Sequence, residues 1–570
     1  VRAGGATAGR ERGGTMKDRS RIGLAAALVI AIALTGCSNN AGNGAGQGGT
    51  LRIGTSSGIS SLNPFVGFNQ DDYATWMYIY PTLVQYDTTK PNYDFAPNFA
   101  QSWDLSKDGL KLTFHTTPNA SWSDGQPLTA DDVVWTVEMI QKYQHGPTGA
   151  WANSVNTIKT IEAPDDNTVV ATYARPTATA LSDVGMTPIL PEQVWSQYAT
   201  GDGKALKTYA NEPENGQPLV GGGPFVLMQY TKNDIALFQR NPNWYGTPSH
   251  IDGFGLQFYR DEDAMVTALK TGELDAINEI PPTSVSTLKD AQMQVYEGQA
   301  LAMRDFIFNL DPSKPDHPEL LNPQVREAFE YAIDRNAIVQ TAWLGYATPG
   351  STLIPEGNAT GGTQWHDDNI QPLPYSIDKA NQILDGLGYA RGADGIRVAD
   401  GEPMSYDVIF PLDEAGAGDR AFRIIQQGMQ QIGVQLNQKR LDTNAAWDAM
   451  YQDGHYVYDL AMWDWFPAAD PDFILSVITC DEWGNWSDGG YCNHQYDKLY
   501  AEQKTAVNPQ DRQQIIFKMQ SIAFAARPYI ILTYDKRLDA WSPNWQGFVE
   551  STQGIYNNFS TQSLLSVHQA

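Results

Sequence analysis

Only three cysteines and eight histidines occur in the 570 residues, and basic side chains are scarce. The histidines stand at 115, 145, 250, 317, 366, 455, 494 and 568, so no HxxxH pair exists, and the cysteines form no CxxC. Neither a metal site nor a bound cofactor is therefore expected. Lys and Arg number 38 against 65 Asp and Glu, a formal charge of -27, where binding phosphates requires the opposite sign. This excludes nucleic acid as a partner and excludes adhesion to an anionic membrane by charge alone. No P-loop is present, so any ATP chemistry belongs to another chain. The apolar run at 22–34 is too short for a comfortable membrane span. What remains is globular: 42% hydrophobic and 11% aromatic residues, in a chain long enough for two or three subdomains.

That short apolar run has a positive flank in Lys17, Arg19 and Arg21 and ends in Leu34-Thr35-Gly36-Cys37. Charge, length and tetrapeptide together resemble a bacterial lipoprotein signal, which implies cleavage before Cys37 and lipid on its sulfur. Residues 1–15, ahead of Met16, read as an upstream extension; 1–36 would be removed and 37–48 would be a flexible tether. The chain would be exported and lipid-anchored at the cell surface or in the periplasm. Cys480 and Cys492 then remain as an even pair, expected to form a disulfide.

Two motifs match by letters and fail on context. GAGQGG at 44–49 precedes the first strand, where a dinucleotide fingerprint would follow one. GTSSG at 54–58 has the letters of a nucleophile elbow around Ser56, which is the basis of a secreted serine hydrolase reading. Turn residues at 60–64 replace the helix such an elbow needs, so no enzyme is expected. A polar loop contacting ligand through Ser56, Ser57, Gly58 and Asn63 is the expected use.

The spacing predicts a hairpin over 103–116 and a helix capped by Thr129, with Asp132 closing an acidic capping box. Asn322 and Pro323 open another helix. Strands at 405–410 and 434–441 flank a helix that Gly433 stops, and a further strand is expected from 459. This strand-helix-strand unit predicts an α/β fold with mixed or parallel sheets. The acid pairs 131–132, 165–166 and 367–368 are expected to be solvated.

Residues 459–492 gather Trp463, Trp465, Trp483 and Trp486 with Asp464, Asp470 and the two late cysteines. Flat aromatic faces beside carboxylates suit a small-molecule site, and equally suit a buried aromatic core beneath a stapled loop.

The runs AQSWD at 100–104, LTF at 112–114 and WSDGQPLTADDV at 122–133 are followed by GGPF at 222–225 and RNPNWY at 240–245. LKTGELD at 269–275, Phe308-Asn309, Val325-Arg326 leading to AIDR at 332–335, residues 380–389, Gly433-Val434 and Asp470-Pro471 complete the series. In number and order these resemble the family 5 extracellular solute-binding proteins, peptide-binding (sometimes nickel- or sugar-binding) receptors of ABC importers. The resemblance covers 49–559. It implies a two-lobed, periplasmic-binding-protein-like (type II) fold: lobe one from 49–92, 218–300 and 535–570, an inserted subdomain at 93–217, and lobe two at 301–534. It further implies a monomer that closes around its ligand and hands it to a permease with separate ATPase subunits. Short peptides are the leading cargo, and an oligosaccharide or other polar solute is the alternative. In peptide-binding relatives an aspartate shortly before the Asp-Pro pair takes the peptide's ammonium. Here Ala468 and Pro467 occupy that place, leaving Asp464 as the nearest substitute. Trp463, Trp465, Phe466 and Asp470 complete the expected ligand surface, with 483–492 as the stapled loop.

Overall fold

The computed structural model of the protein describes residues 48–570 apart from 68, 89, 91–92, 147, 315, 413–415, 453 and 551–558. The expected signal segment, Cys37 and the tether up to residue 47 lie outside the described residues. Fifteen strands build the two larger sheets. They are β1 (Thr50–Thr55), β2 (Ala100–Leu105), β3 (Lys111–Thr116), β4 (Ile158–Asp165), β5 (Thr168–Tyr173), β6 (Phe225–Thr231), β7 (Ile235–Arg240) and β8 (Gly253–Phe258). Then follow β9 (Ala276–Asn278), β10 (Gln294–Phe308), β11 (Ala347–Pro349), β12 (Ser405–Pro411), β13 (Gln435–Leu441), β14 (Leu460–Trp465) and β15 (Tyr529–Trp541). Helices used below are α1 (Gln70–Ile79), α2 (Ala130–Tyr143), α3 (Pro323–Tyr331), α4 (Ala417–Gln431) and α5 (His494–Thr505).

The large sheet runs β13-β12-β14-β10-β15-β9-β1-β8-β7-β6, with β11 added beside β15. It has two parallel patches. On one side β1 pairs in parallel with β8 and β9; on the other β12 pairs in parallel with β13 and β14. Between them lie the two longest strands, β10 and β15, antiparallel to each other, with register shifts between Glu297 and Ala300, Ala300 and Ala302, and Arg304 and Asp305. Such bulges bend and twist a ladder locally. The two largest cores divide at the same place. One is drawn from residues 303–534, around Phe306, Phe329, Tyr406, Ile425 and Met519. The other draws on Leu51, Trp76, Phe225 and Phe254 and returns at Trp541 and Leu564.

Local expectations are met where the pattern is strong. The hairpin is β2/β3, with Leu105 opposite Leu112. Thr129 precedes α2, and its backbone N–H donates to Asp132 at 3.0 Å. Asn322 caps α3 by accepting from Gln324 N–H at 3.0 Å, with Pro323 in the first turn. α4 joins parallel strands β12 and β13, and Gly433 turns the chain with φ 79°.

One expectation changes. Asp132 and Asp367 are not solvated: both are buried. Asp132 also lies 3.3 Å from Trp122 Nε1, and burial pushes its carboxyl up to about 6. The four-stranded sheet β2-β3-β5-β4 within 93–217 has no separate core, because Phe99, Phe114, Trp122 and Trp195 belong to the same cluster as Leu51 and Phe254. No helix among the described residues is long and apolar enough to cross a membrane.

Candidate ligand-binding site

In open α/β sheets, ligands bind beyond the carboxyl ends of parallel strands, where chains leaving adjacent strands diverge. This sheet has two such places. At the first, β1, β8 and β9 end together at Thr55, Phe258 and Asn278. Gly54 is needed there for packing: a Cβ would stand 2.6 Å from Leu274 Cδ1 and 2.9 Å from Met265 Cγ. A helix does not follow the GTSSG run until α1 at Gln70, so the elbow geometry around Ser56 is absent.

α1 reaches over these strand ends with its amino terminus. Asn69 caps it, accepting from Asp72 N–H at 2.9 Å, while Asp72 accepts from the backbone N–H groups of Ser60 and Ser61 at 2.7 and 3.2 Å. Such a cap contributes about 1 kcal/mol and fixes the loop that carries Ser57 and Gly58. Its neighbour Asp71 turns into a cavity lined by Thr55, Ser57, Gly58, Tyr78, Tyr230, Phe258, Asn278 and Phe559, among others. Ser57 donates its hydroxyl to Asp71, and Thr55 Oγ1 lies 3.5 Å away. Burial pushes the Asp71 carboxyl up to about 6, against the opposing pull of the Ser57 hydroxyl and the Arg537 charge.

Arg537 binds three groups at the end of β9. It donates to Asp539 at 2.9 Å, to Glu279 at 3.2 Å and to Asn278 Oδ1. Asp539 also accepts the Glu279 N–H at 2.9 Å. One buried guanidinium thus faces three carboxylates, Asp71, Glu279 and Asp539. The hydrogen bonds at Asp71 come from hydroxyls. A group of this kind attracts a cation.

The second place is the end of β12 and β14. Trp463 is half-buried, its ring 6.2 Å from that of Trp447. Arg304 stands directly opposite Asp464 across the β10/β14 pair. Its guanidinium meets Asp464 at 2.9 Å and Asp535 at 2.7 Å and lies 5.4 Å from the centre of the Trp343 ring. Trp465 is buried, 6.0 Å from Phe473. Phe466 is partly exposed at the strand's end.

The expected ligand surface therefore divides. Ser57 and Gly58 line the cavity, with Ser56 beside them on the same loop. Trp463, Asp464, Trp465 and Phe466 lie at the other strand ends. Two residues require correction. Asn63 is buried and ties two segments together: its amide donates to the carbonyls of Leu206 and Tyr209, both at 2.7 Å, and its oxygen accepts from Phe65 N–H. Asp470 is largely enclosed in a two-point ion pair with Arg512, at 2.6 and 2.7 Å, which holds its carboxyl below the usual range against the effect of desolvation. Asp71, Asn278, Glu279, Arg304 and Arg537 were not anticipated. The Asn69-Gln70-Asp71-Asp72 cap was the available signal for the first. Cys480 and Cys492 form the expected disulfide, and the loop it closes packs Trp483 against Tyr456 and Trp486 against Phe473.

Contacts also join the two cores away from the sheet. Ala178 N–H donates to the Lys504 carbonyl at 2.7 Å, Asn153 donates to Glu482, and Ala469 sits in a small cluster with Tyr86 and Tyr93.

Residues 94–485 match the model of the bacterial extracellular solute-binding proteins, family 5 (middle). Protein XP55 of Streptomyces lividans is 26% identical over 569 residues, covering 97% of each chain. The ABC transporter-associated periplasmic binding protein DppA from Helicobacter pylori, solved with the peptide STSA, superposes with a TM-score of 0.78 at 21% identity. That match covers 92% of this chain and 98% of the other. NikZ from Campylobacter jejuni, solved with Ni(L-His), also gives 0.78 at 20% identity, over 91% and 99% of the chains. Both share the fold while holding chemically different ligands. From matched family, shared fold and strand-end cavity together, the chain belongs to the bacterial extracellular solute-binding proteins, family 5, and is a binding protein of ABC transport, not an enzyme.

Proposed function

We propose that the chain captures short peptides between two lobes and delivers them to an ABC permease, with the peptide's free ammonium held by Asp71. The lobes correspond to the two cores, and the bulged β10/β15 pair that joins them is the hinge. Ligand favours closure through contacts made only when the lobes meet. The observation that supports this cargo is Asp71 itself, a buried carboxylate lining a cavity, bonded to hydroxyls and close to further acids. An ammonium would favour its ionised form and supply the strong, charge-assisted partner that Arg537 does not supply by a direct hydrogen bond. Asp464 is a weaker candidate for that role because Arg304 already holds it.

Lipid on Cys37 would keep the receptor at the membrane, and the ATPase and permease would be separate chains. The half-buried Trp447 and Trp463 rings support a second reading, in which an oligosaccharide or other polar solute stacks at the far strand ends. A tripeptide library should raise the melting temperature and shrink the radius of gyration in solution scattering. Response to a sugar library and not to peptides would move the cargo to the second reading; response to neither would remove both.

A further inference from the structure

The disulfide Cys480–Cys492 lies at the start of α5, and two further metal-ligating side chains stand against it. Asn493 caps α5, its side chain accepting from the backbone N–H groups of Gln495 and Tyr496 at 2.9 and 3.2 Å. This sets His494 and Asp497 three positions apart on one helix face. His494 Nδ1 lies 3.8 Å from Cys480 Sγ and 3.3 Å from Asp497 Oδ2, and Asp497 Oδ1 accepts the Cys480 N–H at 3.1 Å. One ligand atom from each of Cys480, Cys492, His494 and Asp497 falls within 4.8 Å of the others. Zinc–ligand bonds of about 2.0–2.3 Å at tetrahedral angles place neighbouring ligand atoms roughly 3.3–3.8 Å apart. The His494–Cys480 and His494–Asp497 separations fall in that range, whereas the two sulfurs are bonded to each other. Sequence spacing alone hid the cluster, because the cysteines are twelve positions apart and the helix brings the other two ligands in.

We infer that reduction of this disulfide turns the loop into a site of two thiolates, one imidazole and one carboxylate for a thiophilic divalent cation such as Zn2+. A dithiol reductant gives two electrons and two protons: the S–S bond breaks, two protein thiols form and the reductant leaves as its cyclic disulfide. On binding, the cation takes both sulfurs as thiolates and two protons pass to water. The oxidised loop offers only an imidazole and a carboxylate, so binding depends on redox state. His494, with 91% of its side chain exposed, is accessible to an incoming ion, and Cys492 is exposed as well.

The test uses the full chain, oxidised or reduced with a dithiol that is then removed without air, and titrated with Co2+. The reduced protein should take one cobalt with a thiolate-to-metal charge-transfer band that Zn2+ abolishes, and the oxidised protein should show no such band. His494→Ala and Asp497→Ala should each weaken Zn2+ binding roughly tenfold or more. Cys480→Ser/Cys492→Ser should bind no metal there while keeping the circular dichroism of the parent. Absence of the band after reduction overturns the inference, as does equal binding by the His494→Ala/Asp497→Ala double variant. Loss of the fold on reduction overturns it too, since the site needs α5 in place.

Discussion

Two arginines on adjacent central strands, Arg304 on β10 and Arg537 on β15, organise two groups of acids, and they do so differently. Arg304 bridges Asp464 and Asp535 directly, at 2.9 and 2.7 Å, beneath the Trp343 ring. Arg537 bonds Asp539 and Glu279, while the third acid of its group, Asp71, is bonded by hydroxyls and opens onto a cavity. The first arrangement uses its charges to hold β10, β14 and β15 together. Burial opposes the ionisation of one acid in each group, Asp535 beside Arg304 and Asp71 beside Arg537, and Asp71 opens onto the cavity. A charge already engaged by its neighbour supports structure; a charge held ready beside a cavity supports binding. Adjacent strands of one sheet illustrate both.

The comparison breaks most visibly if Arg304 is removed. Arg304→Met leaves buried Asp535 without its cation and should cost about 3–5 kcal/mol of stability, read by urea unfolding. The same protein should keep its ligand affinity under conditions where it is folded. Asp71→Asn should do the reverse, lowering affinity for a free-amine peptide by about 2–4 kcal/mol, roughly thirty- to several-hundredfold by calorimetry. Its effect on the ligand-free fold should be small or favourable, because an amide avoids the penalty of burying a charge. If Asp71→Asn lost stability without change in affinity, the roles assigned to the two groups would be reversed. Asp464→Asn should weaken the fold by about 1–2 kcal/mol, since Arg304 keeps Asp535, and leave peptide affinity within about twofold.

A pH series sharpens the same contrast. Asp71 has a folded-state value raised to about 6 from the ordinary carboxylate range. Its contribution to stability is therefore fully present below the unfolded value and is lost as pH rises through 6. The ligand-free protein should gain from this group on going from pH 7 to 5, and Asp71→Asn should flatten that gain. Ammonium binding requires the ionised form, so affinity should fall as pH drops below 6, by up to about tenfold per unit. The smallest effect expected is that of Ser57→Ala, about 0.5–1.5 kcal/mol in affinity, from loss of the hydroxyl that orients the carboxylate.

Much of the fold was legible because its signals are local. Period-two alternation marks β3, where Leu112 and Phe114 are buried between exposed Lys111 and His115. Caps at Thr129 and Asn322 and the stop at Gly433 depend on residues within a turn of the helix end. The site was legible only in part. Ser57 and Gly58 follow a recognisable strand, but the acid they serve is fourteen residues away on α1, and its arginine is 466 residues further on. Charge pairing across such separations leaves no periodicity. The same limit explains Asp470, whose partner Arg512 comes from a later helix. It also explains Asn63, whose amide is engaged by carbonyls some 145 positions away. Aromatic density at 459–492 marked β14 and the loop after it without separating rings that stack in the interior from rings that face outward.

The most direct test of the central assignment compares one tripeptide with its N-acetylated form, each titrated calorimetrically into the parent protein and into Asp71→Asn at pH 7.5. If Asp71 holds the ammonium, acetylation costs the parent about thirtyfold or more in affinity and costs the variant almost nothing. An acetylated peptide that binds the parent as tightly as the free amine would contradict the assignment.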